Sequence, residues 1–163
     1  MMQIIVREAT VQDAGQMAEL LSQIIAVGGT TAFLNPVSAK DIEHWITKDN
    51  GTASWHVAVD ENGRILGQQS AEPHPKLPVG AADIASYVRI GVTGQRIGSR
   101  LFEATTAKAR SLGYKWLNAS IRSDNDSGLR YYSKMGFKDW KVDPDAQLSN
   151  GQVCGKNHKR FDL

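Results

Sequence analysis

A strand that runs into a glycine-punctuated loop and straight on into a helix constrains this chain more than any other feature. The stretch is Val88-Arg89-Ile90-Gly91-Val92-Thr93-Gly94-Gln95-Arg96-Ile97-Gly98-Ser99-Arg100-Leu101. Three glycines in eight residues (Gly91, Gly94, Gly98) let the backbone turn tightly with its N–H groups exposed. The helix that follows places those groups at the positive end of its dipole, a setting suited to a phosphate or pyrophosphate. The same spacing also serves a purely structural turn, and from the loop alone both readings stand.

Around this loop the periodicity alternates between strand and helix. Residues 3–8 are a β-branched run that predicts a first strand. Thr10 with Asp13 reads as a helix start, and Ala14, Met17, Leu21, Ile24 and Ile25 share one face until Gly28-Gly29. Ser38 with Asp41 opens a short second helix marked by Ile42, Trp45 and Ile46. Residues 55–60 and 64–71 predict a hairpin around Glu61-Asn62-Gly63. Pro73, Pro75 and Pro78 stiffen the next connection, and a fourth strand over residues 82–90 delivers the glycine loop. The helix after it runs to Leu112 and stops at Gly113. A fifth strand over 114–121, a helix over 125–135 stopped by Gly136, and strands over 137–142 and 153–163 complete the chain. That order requires a mixed sheet with helices on both faces.

The 163 residues suffice for one domain with a substantial core, and that domain is expected to span residues 1–163. A formal charge of +2 with no run of Lys and Arg gives no nucleic-acid surface. Cys154 is the single cysteine, so an intrachain disulfide and a cysteine metal cage are excluded. Four histidines without paired spacing give no case for a metal. Met1-Met2-Gln3-Ile4-Ile5-Val6-Arg7 lacks the pattern of a signal peptide, and no apolar run approaches a membrane span. A cytoplasmic protein is the expectation.

The element order and the loop together resemble the GNAT superfamily of N-acetyltransferases. Its signature, V-x-P-x-x-[QR]-G-x-G-[IL]-G-x-x-L, is matched by Val88, Gly94, Ile97, Gly98 and Leu101. The chain departs at Ile90 (for proline), Thr93 (for Gln or Arg) and Arg96 (for glycine). A second block, Asn125 to Phe137, is similar to the family segment N-x-x-[AG]-x-x-x-Y-x-x-x-G-F. The first helix, the Thr30-Thr31 loop and Trp45 look most like the phosphinothricin-type branch, which acetylates small amino-acid-like amines. The resemblance implies an α/β (α+β) fold: a mixed, mostly antiparallel seven-stranded sheet, about four helices, and splayed fourth and fifth strands. It further implies acetyl-CoA as donor, a small-molecule amine as acceptor and, as often in the family, a homodimer.

On the same basis the cofactor would be held by Val88, Ile90, Thr93, Gly94, Gln95, Arg96, Ile97, Gly98 and Ser99, with Asn125 and Ser127 after the fifth strand. The Arg96 guanidinium either reaches a phosphate oxygen or points into water. Asn125 serves as a helix cap, as a cofactor contact, or as both. Asp83 stands where the family carries a glutamate base, and is otherwise an ordinary strand-end acid. Tyr132 matches the tyrosine that protonates the leaving sulfur, and Tyr131 beside it reads as core. Thr31, Phe33, His74 and Tyr87 are the expected acceptor contacts. His56 reads as a packed strand residue, His44 and His158 as surface, and Trp55, Trp116 and Trp140 as core or sheet-face residues. A non-catalytic acyl-CoA binding module is the competing reading. A nucleotide-phosphate enzyme ranks below both, for want of G-x-x-x-x-G-K-[ST].

Overall fold

The computed structural model describes residues 3–49 and 51–163. Met1 and Met2, at the head of the segment read for a leader, lie outside them. Strand β1 (Ile4–Glu8) leads through a 3-10 turn into α1 (Ala14–Val27), and α2 (Ala39–Lys48) follows. Then come β2 (Ser54–Asp60), β3 (Ile65–Glu72), β4 (Ala81–Val88), α3 (Ile97–Ser111), β5 (Trp116–Arg122), α4 (Asp126–Met135), β6 (Lys138–Asp143) and β7 (Lys156–Asp162). Every predicted element is present.

Local chemistry accounts for the boundaries. The Asp13 carboxylate accepts the Thr10 N–H at 2.8 Å and both Arg7 guanidinium nitrogens at 2.8 and 2.9 Å, which fixes the entry to α1. Ser38 and Asp41 exchange the two bonds of a capping box, Asp41 N–H to Ser38 Oγ and Ser38 N–H to Asp41 Oδ2. Among the described helices none is long and apolar enough to cross a membrane.

The seven strands form one sheet in the order β1-β2-β3-β4-β5-β7-β6. All neighbours are antiparallel except β4 and β5, which run parallel. Apolar residues of α1 and α2 cover one face against Val57, Val59 and Ile65. The other face packs Phe102 and Ala109 of α3 and Tyr132 of α4 against Ala82, Ile84, Leu117 and Ala119.

The decisive irregularity is at the centre. β4 and β5 pair only over Ala81–Asp83 and Trp116–Asn118, then separate although each strand continues. Arg89 N–H donates to Leu66 O at 2.7 Å. By the alternation of an antiparallel ladder, the N–H and C=O groups of Ser86 and Val88 therefore point away from β3, toward the gap.

Candidate active site

The gap opens into a cavity of about 880 Å³ that reaches both faces of the sheet. β4 positions its side chains alternately, so successive residues serve opposite sides. Asp83 and Tyr87 reach the α1/α2 side, while Ser86 joins Tyr132 on the α3/α4 side.

On the first side stand two carboxylates. Glu72 and Asp83 are directly opposed across β3 and β4 and both line the cavity. Asn118 Nδ2 donates to Asp83 Oδ1 at 2.9 Å, and Asn118 Oδ1 is held by Trp140 Nε1 at 2.9 Å. Burial pushes the Asp83 carboxyl above its usual range, against the opposing pull of the Asn118 bond. Burial pushes Glu72 up to about 7, although Lys48 Nζ stands 3.9 Å from its Oε2 and favours the ionised form. Trp55 and Tyr87 wall the same side, and Phe33 stacks on Trp45 with centroids 5.6 Å apart.

On the second side lies a hydroxyl cluster. Tyr132 Oη and Ser86 Oγ are 2.8 Å apart, and Gln69 Nε2 donates to Ser86 Oγ and to Tyr131 Oη. Desolvation raises the pKa of Tyr132 far enough that the phenol keeps its proton. Tyr131 donates to Gly98 O at 2.8 Å. A Cβ on Gly98 would sit 2.6 Å from the Tyr131 ring, so this glycine permits a close approach of the α3 backbone to the ring.

The glycine loop closes one end. Gly94 (φ 74°) and Arg96 (φ 55°) are both left-handed. Among the described residues, the N–H groups of residues 93–99 donate to no backbone acceptor, and Arg100 N–H is the first to bond, to Arg96 O. Past the C-terminal end of β5, which runs parallel to β4, Asn125 caps α4 by accepting from Gly128 N–H, and its Nδ2 donates to Thr30 O. Arg122 Nη1 donates to Thr31 O, so two side chains tether the loop that carries Thr31 and Phe33 over the cavity.

Of the sequence-predicted positions, the cavity wall brings together Asp83, Tyr132, Val88, Ile90, Gly98, Asn125, Ser127, Thr31, Phe33 and Tyr87. Thr93, Gly94, Gln95, Arg96 and Ser99 stand on the adjoining loop and helix start, outside that wall. The Ile97 side chain is buried in the core with Leu66 and Leu101, which leaves only its backbone at the loop. His74 is not brought to the cavity: it is exposed, and its Nδ1 accepts the Lys76 N–H at 3.1 Å.

Two further readings need correction. Tyr131 is a wall residue as well as a packing one, because close contact with Gly98 swings it onto the cavity beside Tyr132. His158 is half-buried and bonded to Ser120 Oγ at 2.9 Å rather than lying on the surface. Trp55 and Trp140 stand on strand faces as expected, with Trp55 packed on the core and also lining the cavity, and the Trp140 indole N–H donating to Asn118. The residue that sequence reasoning missed is Glu72. Its one signal is an acid ending a strand just before the proline-rich connection.

The residues present fit a CoA thioester. A thioester arm that carries amides needs unpaired backbone groups along a strand edge, which the splay of β4 leaves at Ser86 and Val88. The buried Gln69 Oε1 in the wall likewise has no donor among the described residues. A pyrophosphate needs free N–H donors at a helix start, which residues 93–99 provide.

Residues 20–137 match the Acetyltransferase (GNAT) family. The chain is 30% identical over 140 residues to the L-methionine sulfoximine/L-methionine sulfone acetyltransferase of Pseudomonas aeruginosa, covering 80% of each protein. It is 28% identical over 159 residues to YwnH of Bacillus subtilis, named for phosphinothricin acetyltransferase, covering 96% of this chain and 93% of that one. Its fold matches the phosphinothricin acetyltransferase of Sinorhizobium meliloti solved with acetyl-CoA (TM-score 0.87, 18% identity, 98% of this chain and 88% of that one).

Proposed function

The chain belongs to the GNAT acetyltransferase family, and on that premise we propose that it moves an acetyl group from acetyl-CoA to the primary amine of a small molecule, an amino acid or analogue. The observation that carries this reading is the two-sided gap, with carboxylates on one face of the sheet and the Tyr132–Ser86 hydroxyl pair on the other.

When bound, acetyl-CoA supplies an acetyl thioester activated toward attack. The N–H groups of residues 93–99, with the α3 dipole behind them, hold its pyrophosphate. The β4 edge at Ser86 and Val88 aligns the pantetheine arm, and a β4 N–H near Val88 polarises the acyl carbonyl. Asn125 and Ser127 border the cofactor after β5, and Ile90 flanks it before the loop. Thr31, Phe33 and Tyr87 shape the acceptor side.

An amine arrives mostly as its ammonium, with a pKa of about 10 for a lysine-like group, and must lose a proton to become a nucleophile. Asp83 receives that proton at the oxygen that Asn118 leaves free. Tyr132 gives its Oη proton to the departing sulfur and is reprotonated, through Ser86, by the extra proton that the new amide nitrogen sheds after attack. The amine N–C bond forms as the C–S bond breaks, so each face of the sheet handles one proton.

Release of free CoA across a panel of amino acids, amino-acid analogues, polyamines and aminoglycosides tests the reading. L-Methionine sulfoximine is the first member to try, given the Pseudomonas relative. In Tyr132→Phe, turnover is expected to fall about 10²-fold while the Kd for acetyl-CoA stays within about twofold. Equal loss of both would remove Tyr132 from the chemistry. Tight acetyl-CoA binding with no turnover on any amine would make this a binding module instead.

A further inference from the structure

Resting on the acetyl-transfer reading above, we infer that Glu72 is a second catalytic carboxylate: it and Asp83 form one proton-accepting site, and Glu72 is the member that keeps the acceptor's proton. Four observations on independent elements support this.

Glu72 ends β3 directly opposite Asp83, the only pair of acids facing each other in the β3–β4 register. By the parity set at Arg89–Leu66 this is a hydrogen-bonded pair, which sets the Cα atoms about 5.5 Å apart. Both side chains line the cavity on the acceptor side. Their roles differ because their partners differ. Asp83 is anchored by Asn118, itself fixed by Trp140, so its position is set, and the Asn118 bond offsets part of the burial that raises its carboxyl. Glu72 accepts no hydrogen bond from any side chain or backbone group among the described residues. Its one ion-pair partner is Lys48 at 3.9 Å, a long contact from a half-exposed side chain. Two half-buried carboxylates on directly opposed residues do not both ionise readily, so the pair takes up a proton near neutrality.

The proton balance follows. The acceptor ammonium meets Asp83, gives up its proton to the pair, and attacks as the free amine. The proton rests on Glu72 and leaves to solvent past Lys48, which also lines the cavity. The groups facing Glu72 are Lys48 and Asp49 at the end of α2 and Asp83 on β4. Asn118 on β5 bonds Asp83, and the charges of Lys156 on β7 and, from outside the cavity, His74 on the proline-rich loop act on it. Asp49 and Asp83 raise the affinity of Glu72 for a proton and Lys48 lowers it, with burial the largest effect, so its titration is set near pH 7.

The test is the pH profile of CoA release with L-methionine sulfoximine and the other panel amines. The wild-type profile of kcat/KM should show an acidic limb near pH 7, separate from the limb of the acceptor's own ammonium. Glu72→Gln should erase the limb near pH 7 and lower kcat about 10²-fold, with the Kd for acetyl-CoA unchanged. Glu72→Asp, which keeps a carboxyl, should retain the limb at reduced kcat. Survival of the limb in Glu72→Gln with less than about threefold loss of kcat would overturn the assignment. A second readout needs no acceptor and no variant activity: the carboxyl 13C resonance of Glu72 in glutamate-labelled wild-type protein. A midpoint near 7 supports the shared site, and a midpoint near the ordinary value of about 4.3 overturns it. Absence of turnover on every amine would sink the acetyl-transfer reading, and the titration would still decide whether the pair exists.

Discussion

Arg96 sits at φ 55°, the one non-glycine residue with positive φ among the described residues. The family signature has glycine in this slot, and the backbone explains why: an L side chain there costs about 1 kcal/mol. Replacing Arg96 by glycine is therefore expected to raise stability by about that amount in denaturant unfolding. On the proposed reading of this loop as the pyrophosphate site, the same change should weaken acetyl-CoA binding by about tenfold. An unchanged Kd would return Arg96 to solvent. Thus a departure from the motif trades backbone ease for a charge. Gly98 is the complementary case, retained because Tyr131 lies where a Cβ would be. The departure at Arg96 was legible in the sequence, but the reason Gly98 is needed was not, since Tyr131 is 33 residues away.

At the scale of elements, the capping signals were fully readable. Ser38 with Asp41 and Asn125 before α4 act through atoms within three residues, so no tertiary information is needed to find them. Asn125 does more than cap: its Nδ2 holds Thr30 O, tying α4 to the loop between α1 and α2. Asn125→Ala should cost about 1 kcal/mol in cap energy. It should also raise KM for the acceptor more than it lowers kcat, because the Thr31–Phe33 wall loses one of its two tethers. A loss of stability with no change in KM would confine Asn125 to the cap. Glu72, by contrast, was invisible as a site residue because its significance depends on strand register. A slip of one residue would turn it to the other face, away from Asp83. The same holds for Trp55, whose alternating position does not reveal which face lies over a cavity.

For the whole molecule, a half-buried acid with a raised pKa weakens the fold at alkaline pH. The folded-state pKa of Glu72 is raised to about 7, so between roughly pH 4.5 and 7 the native protein binds a proton that the unfolded chain releases. Stability from this residue is present at the acid end of that window, declines as pH rises through it, and is gone above it. Measured by urea unfolding, the wild type should lose about 2.5 kcal/mol relative to Glu72→Gln between pH 5 and pH 8. Parallel curves for the two proteins would show that Glu72 ionises freely. The sequence by itself determined the order of elements, their caps and stops, the glycine loop with its helix, and the two motif blocks that point to the family. These rest on contacts within a few residues, where spacing dictates geometry. The family resemblance implied that the fourth and fifth strands splay, but only the tertiary structure decided that they part after three paired residues, that the gap opens to both faces, and that Glu72 meets Asp83 there. Register and splay come from packing between strands distant in the chain, and no local pattern encodes them.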